Sequence, residues 1–120
     1  MKDEREEPED LRRRTKRYAL GVVALYGRLP DTKVAGVLGM QGLRSATSVG
    51  AHYREACRAR SDAEFISKME GALQELDETS YWIELLAESG QYIGQEAFEL
   101  IQESDELIRI FISIVKKRKG

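Results

Sequence analysis

Apolar residues return along this chain in alternating steps of three and four, the spacing of one helix face packed against other helices. Leu11, Thr15, Tyr18, Val22, Leu25 and Leu29 form the first such row, and Gly27 to Pro30 mark its end. Asp31 or Thr32 is placed to cap a second helix running to about Ala59, with Leu38, Gly42, Ala46, Val49, Tyr53 and Ala56 as its inner stripe. Gly36, Gly39 and Gly42 each disfavour a helix by about 1 kcal/mol relative to alanine, which points to a loose start or a close helix contact. Ser61-Asp-Ala-Glu64 has the form of a capping box and opens a third helix. Its row is Phe65, Met69, Ala72, Leu76, Thr79, Ile83 and Leu86, and Ser89-Gly90 supplies a C-terminal glycine cap. After a turn ending near Gly94, a fourth row follows: Ala97, Ile101, Ser104, Ile108, Phe111 and Val115. Prolines occur only at positions 8 and 30, and no stretch alternates apolar with polar residues as a strand would. The pattern therefore predicts an all-α fold, an antiparallel up-down-up-down four-helix bundle over residues 11–120.

Charge changes this picture at the N-terminus. Residues 1–10 hold six acids, two bases and no apolar residue after Met1, and read as an acidic, flexible lead-in. Residues 11–60 carry eleven bases and two acids, residues 61–90 one base and eight acids, and residues 91–120 five of each. Attraction between the third helix and the first pair is expected to help select one helix arrangement. The single cysteine, Cys57, excludes an intramolecular disulfide and fits a reducing cytoplasm. The longest late apolar run, Leu107 to Val115, is interrupted by Arg109 and is too short to span a bilayer, so a soluble protein without membrane partners is expected.

Candidate chemistry is sparse. His52 is the only histidine, and Cys57 lies about 140° away from it around the same helix, so the two cannot meet. Ser48, His52 and Glu55 share a helix face, but no loop is evident to supply an oxyanion nest. Glu55, Glu75, Glu78 and His52 would be the ligands of a bundle metal site, yet the Glu-x-x-His element that a paired-metal bundle uses on two helices is absent. Neither an enzyme nor a cofactor or metal is expected. The better reading is an interhelical polar network of Arg44, Ser45, Ser48, His52, Arg54, Glu55, Glu75 and Glu78. In it Arg44 or Arg54 would face Glu75 or Glu78 in partly buried, charge-assisted bonds that fix helix register.

Two basic clusters remain. Arg12, Arg13, Arg14, Lys16 and Arg17 open the first helix, and Lys116, Lys117, Arg118 and Lys119 close the fourth. In an up-down-up-down bundle both lie at one end, where together they could contact the phosphates of RNA or DNA. The lysines also suit a helix C-terminus by offsetting its dipole, whereas the arginines at a helix N-terminus have no such role.

The segment Leu43-Arg-Ser-Ala-Thr-Ser-Val-Gly-Ala-His-Tyr-Arg-Glu-Ala56, with Ser61, Phe65 and Ile66, and then Glu75-Leu-Asp-Glu-Thr-Ser-Tyr-Trp-Ile-Glu-Leu-Leu86, resembles the bacterial four-helix-bundle proteins known as 23S rRNA intervening sequence proteins, or S23-like proteins. The likeness runs from about Tyr18 to Leu86 and more weakly through the fourth helix. Val49 stands where isoleucine is usual and His52 where asparagine is common, and a histidine there would make the polar layer sensitive to pH. The resemblance implies a ring-forming homo-oligomer, often a pentamer, and a relation to the accessory protein of diversity-generating retroelements, which binds nucleic acid and a reverse transcriptase. The reading that follows is a non-enzymatic, cytoplasmic, homo-oligomeric scaffold associated with RNA or DNA. The alternative is an adaptor whose partners are purely protein.

Overall fold

A computed structural model describes residues 8–120. Four helices follow one another: α1 (Pro8–Gly27), α2 (Lys33–Cys57), α3 (Asp62–Glu88) and α4 (Gln95–Lys119). Each packs against the next and α4 returns to α1, the antiparallel up-down-up-down bundle that the four rows predict. The first helix begins at Pro8, earlier than Leu11, so the end of the expected lead-in is helical. Proline is tolerated at a first helical position because its missing N–H would have had no intrahelical acceptor. The rest of the expected lead-in, residues 1–7, lies outside the described residues.

Capping chemistry sets the other boundaries. Thr32 caps α2, its Oγ1 accepting from the Ala35 amide at 3.0 Å. Ser61 Oγ accepts from the Glu64 amide at 3.1 Å, and the Glu64 carboxylate reaches one residue further back than a capping box requires, accepting from the Arg60 amide at 3.0 Å. Helix α3 ends in a Schellman motif: Gly90 N–H donates to Ala87 O at 3.1 Å and Gln91 N–H to Leu86 O at 3.0 Å. Gly90 takes φ of 80°, a left-handed value that only glycine adopts without strain. Gly39 answers for the glycine-rich start of α2. It is buried, and a Cβ there would stand 2.8 Å from the Tyr26 ring, so the α1–α2 corner folds down onto bare backbone.

One apolar core runs the length of the bundle and includes Leu11, Val22, Val49, Met69, Leu76, Leu107 and Phe111. The α2–α3 seam is the most intimate, because α2 presents Gly42, Ser45, Ala46 and Ala56, small residues that let α3 come close. Ion pairs join the helices differently from the charge count. The acids of α4 hold Arg14 of α1 and Arg28 just after it, through Arg14–Glu103 at 2.7 Å, Arg14–Glu106 at 2.7 Å and Arg28–Glu96 at 3.1 Å. Acids of α3 turn to the end of α4, in Arg118–Asp62 at 3.1 Å and Lys119–Glu70 at 3.4 Å. Among the described residues the expected attraction of α3 acids for bases of the first helix pair is reduced to Glu75 beside His52 at 4.0 Å, and the one other ion pair there, Lys68–Glu55 at 3.3 Å, runs with the opposite polarity.

Candidate functional site

A buried hydroxyl layer crosses the middle of the bundle, with one residue from each helix: Tyr18, Ser45, Thr79 and Ser104. Tyr18 Oη lies 2.5 Å from Ser104 Oγ, and Ser45 Oγ lies 2.7 Å from Thr79 Oγ1. Proton accounting orders the donors. Thr79 donates to Glu75 O at 2.7 Å and Ser104 to Leu100 O at 2.8 Å, which makes Tyr18 the donor to Ser104 and Ser45 the donor to Thr79 at 2.7 Å, its other acceptor, Gly42 O, being more distant at 3.2 Å. Burial disfavours the phenolate and pushes the Tyr18 hydroxyl up to about 12, against a smaller pull downward from Ser104 and Thr79 and a further push from Glu103. The layer fixes helix register and offers no ionised group for chemistry at neutral pH.

The predicted polar network is mostly redistributed around this layer. Ser45 belongs to it. Neighbouring residues on a helix point about 100° apart, so with Ser45 turned inward Arg44 is turned out, and it is exposed and donates to Gln41 Oε1 at 3.0 Å. Arg54 is exposed too, and Glu78 sits in a shallow acidic depression with Asp77 and Glu84. Among the described residues neither forms an ion pair, so the expected Arg44 or Arg54 bonds to Glu75 or Glu78 are absent from the structure. Ser48 Oγ donates to its own helix at Arg44 O, 2.9 Å away, and not to His52. Replacing exposed Arg44 or half-buried, unpaired Glu78 with alanine is accordingly expected to change stability by no more than about 0.5 kcal/mol in urea unfolding, as at other positions without an ion-pair partner. A loss above about 2 kcal/mol for either would restore the arginine–glutamate network.

His52 lies at the rim of the α2–α3 seam between two carboxylates, with Nδ1 3.4 Å from Glu55 Oε1 and Nε2 4.0 Å from Glu75 Oε2. The first separation is close enough for a charge pair, but among the described residues His52 Nδ1 has no hydrogen-bond partner. Glu75 Oε1 and Trp82 Nε1 along the same seam are likewise buried and unpartnered. Lys68, and secondarily His52, hold the Glu55 carboxyl below its ordinary range. Among the described residues no three His, Cys, Asp or Glu side chains converge as a metal site, and no helix is long and apolar enough to cross a membrane. Cys57 is exposed.

The two basic clusters meet acids of their own chain. Arg13 pairs with Asp10 at 2.6 Å, and Arg14 is gripped by Glu103 through two nitrogens as well as by Glu106. Arg118 pairs with Asp62 and stacks 3.8 Å over the Phe65 ring, and Lys119 pairs with Glu70. Arg12 is half-buried, while Lys16, Arg17, Lys116 and Lys117 are exposed. A feature that the sequence pattern does not single out lies beside the first cluster: a groove between α1 and α2 lined by Thr15, Lys16, Ala19, Thr47, Gly50, Ala51 and Arg54.

Both sequence motifs converge in three dimensions. Ser45 of the first bonds Thr79 of the second, Gly42 beside the first faces the Cβ of Trp82 in the second, and Tyr53 meets the Phe111 ring at a centroid separation of 5.7 Å. The family model for the 23S rRNA-intervening sequence protein matches residues 9–113. The chain belongs to this family. A solved structure from Bacteroides thetaiotaomicron VPI-5482, described as a protein with unknown function from the S23 ribosomal protein family, is similar at 36% identity and a TM-score of 0.83. That match covers 91% of this chain and 97% of the other. Comparison with curated proteins gives no match. In this member of the 23S rRNA-intervening sequence family, the motif residues Ser45, Gly50, Tyr53 and Thr79 serve the packing of the bundle. Gly50 admits Thr15 of α1, whose Oγ1 would stand 3.1 Å from a Cβ at that position.

Proposed function

We propose that this chain is a non-enzymatic, cytoplasmic, homo-oligomeric scaffold that associates with nucleic acid. The observation that carries the reading is the distribution of exposed large apolar side chains. Leu20, Val23, Val34, Val37, Met40, Tyr81, Ile93 and Phe98 all fall near the end of the bundle that holds the α1–α2 and α3–α4 loops, whereas among the described residues Ile112 alone lies towards the other end. Each of the eight is within about two turns of a helix terminus at that end, or in the loop itself. A monomer gains nothing from leaving such surface wet, and a second copy of the chain would cover it. The family resemblance implies a closed ring, often of five chains, and the apolar end would supply the contact surface for it. Native mass spectrometry of the full chain is expected to show a closed oligomer, with five subunits the leading species. A monomer at micromolar concentration would remove the scaffold reading.

The protein-only adaptor reading draws on a different observation, the internal pairing of Arg13, Arg14, Arg118 and Lys119, which removes much of the basic ends from competition for phosphate. The two readings differ in salt dependence. Phosphate contacts release counterions and make affinity fall steeply with salt, and protein–protein contacts through an apolar face do not.

A further inference from the structure

Resting on the nucleic-acid reading above, we infer that a single nucleic-acid strand lies along the α1–α2 groove, its phosphates held by Lys16 and Arg54 from opposite walls. The basic chain ends are not the principal contact.

Pairing decides between these surfaces. A cation already bound to a carboxylate must give up that bond to take a phosphate, and it releases fewer counterions when it does. Arg13, Arg14, Arg118 and Lys119 are in that position. The neighbouring α1–α4 groove, lined by Asp10, Arg14, Arg17 and Glu103 among others, brings its own acids with it. The α1–α2 groove does not: among the described residues no acidic side chain lines it. Lys16 and Arg54 are exposed and, among the described residues, have no carboxylate partner.

The shape fits one strand. Helices packed with axes about 8–10 Å apart are in contact and leave only a narrow surface furrow along their seam, a track for one sugar-phosphate chain and not for a duplex. Ala19, Thr47, Gly50 and Ala51 form a low floor on which a backbone can approach closely. Thr47 Oγ1 sits 3.0 Å from both Leu43 O and Arg44 O, so its proton is taken by its own helix, and recognition falls to the cations alone. Arg12 lies one turn before Lys16, and Arg58 one turn after Arg54, each step about 6 Å along its axis. Because α1 and α2 run antiparallel, both extensions lead the same way, toward the end of the bundle that holds the α2–α3 loop. With Lys16 and Arg54 engaged by phosphate, the groove keeps no further free donor for base edges, and the binding it supports is sequence-tolerant.

The test is fluorescence anisotropy of a short labelled single-stranded RNA with the full-length protein across a salt series. The doubly substituted Lys16→Glu, Arg54→Glu chain is compared with Lys116→Glu, Lys117→Glu, which changes two exposed cations at the chain end. The groove variant is expected to bind about tenfold more weakly at low salt and to flatten the log–log salt slope by about 1 to 2, while the end variant stays within about threefold of the parent. Lys16→Gln, Arg54→Gln gives the same reading without reversed charge, and circular dichroism melting of each variant checks that the bundle is intact. Equal losses in both variants, a loss only at the chain end, or tighter binding of a duplex than of the single strand would overturn the groove. So would a groove variant that changes the oligomer mass and leaves RNA affinity untouched, since the groove would then seat a neighbouring copy. Wild-type protein with no salt-dependent binding would overturn the nucleic-acid reading itself, a failure distinct from a misplaced groove.

Discussion

Phe111→Ala is expected to destabilise the bundle by about 3–5 kcal/mol, the usual cost of emptying a fully buried aromatic site. Phe111 is 0% exposed, and its ring stands 5.7 Å from that of Tyr53 across the core. The surrounding helices cannot close the space cheaply, because the hydroxyl layer and the ion pairs between α1 and α4 hold their spacing. A domain of this size has roughly 5–15 kcal/mol of stability in total, so the loss is a large share of it. Urea unfolding at one fixed protein concentration measures it, and holding concentration constant keeps self-association from contributing to the difference. A cost below about 1.5 kcal/mol would mean that α4 is not anchored through this ring.

The second large effect is alkaline. Below pH 10 the Tyr18 phenol is protonated in both folded and unfolded chains and pH has no leverage through it. Between pH 10 and about 12 the unfolded phenol ionises while the buried one, pushed up to about 12, keeps its proton, so stability falls as pH rises. The two-unit displacement corresponds to a loss on the order of 2–3 kcal/mol by the top of that window. Tyr18→Phe removes this dependence. At pH 7 the variant is expected to lose only about 1 kcal/mol, since Ser104 keeps its bond to Leu100 O when the phenol is gone. Subtracting the variant's stability profile from the parent's between pH 8 and 12 cancels the lysines and the other tyrosines. A difference that stays flat across this range would place the phenol in contact with water.

The corrected polar network has a simple origin. Sequence spacing identifies which residues share a helix face, but the boundary between core and rim depends on how far each helix is rotated against its neighbours. Ser45 and Arg44 are adjacent but point about 100° apart, so the rotation of α2 about its axis decides which of them meets α3. The helix approach brought the hydroxyls inward, and Tyr18, Thr79 and Ser104, which read as members of apolar rows, became the polar layer. Long arginine side chains reached water or a nearby glutamine instead, where their charge is not desolvated.

The sequence by itself determined the elements and their order. The three-four rows, the caps at Thr32 and Ser61 and the glycine stop at Gly90 act locally, over a turn or two of helix, and local rules suffice to place them. It also determined the family, since the two motifs carry packing requirements that few other residues meet. Tertiary structure alone decided which cations are free. Arg14 and Lys16 stand two positions apart in one basic run, yet Arg14 turns to Glu103, 89 residues away in sequence, while Lys16 faces the open groove beside Arg54. No periodicity along one helix encodes the charge carried by the helix beside it, and that neighbouring charge decides whether a cation is already spent within the fold or available to a phosphate.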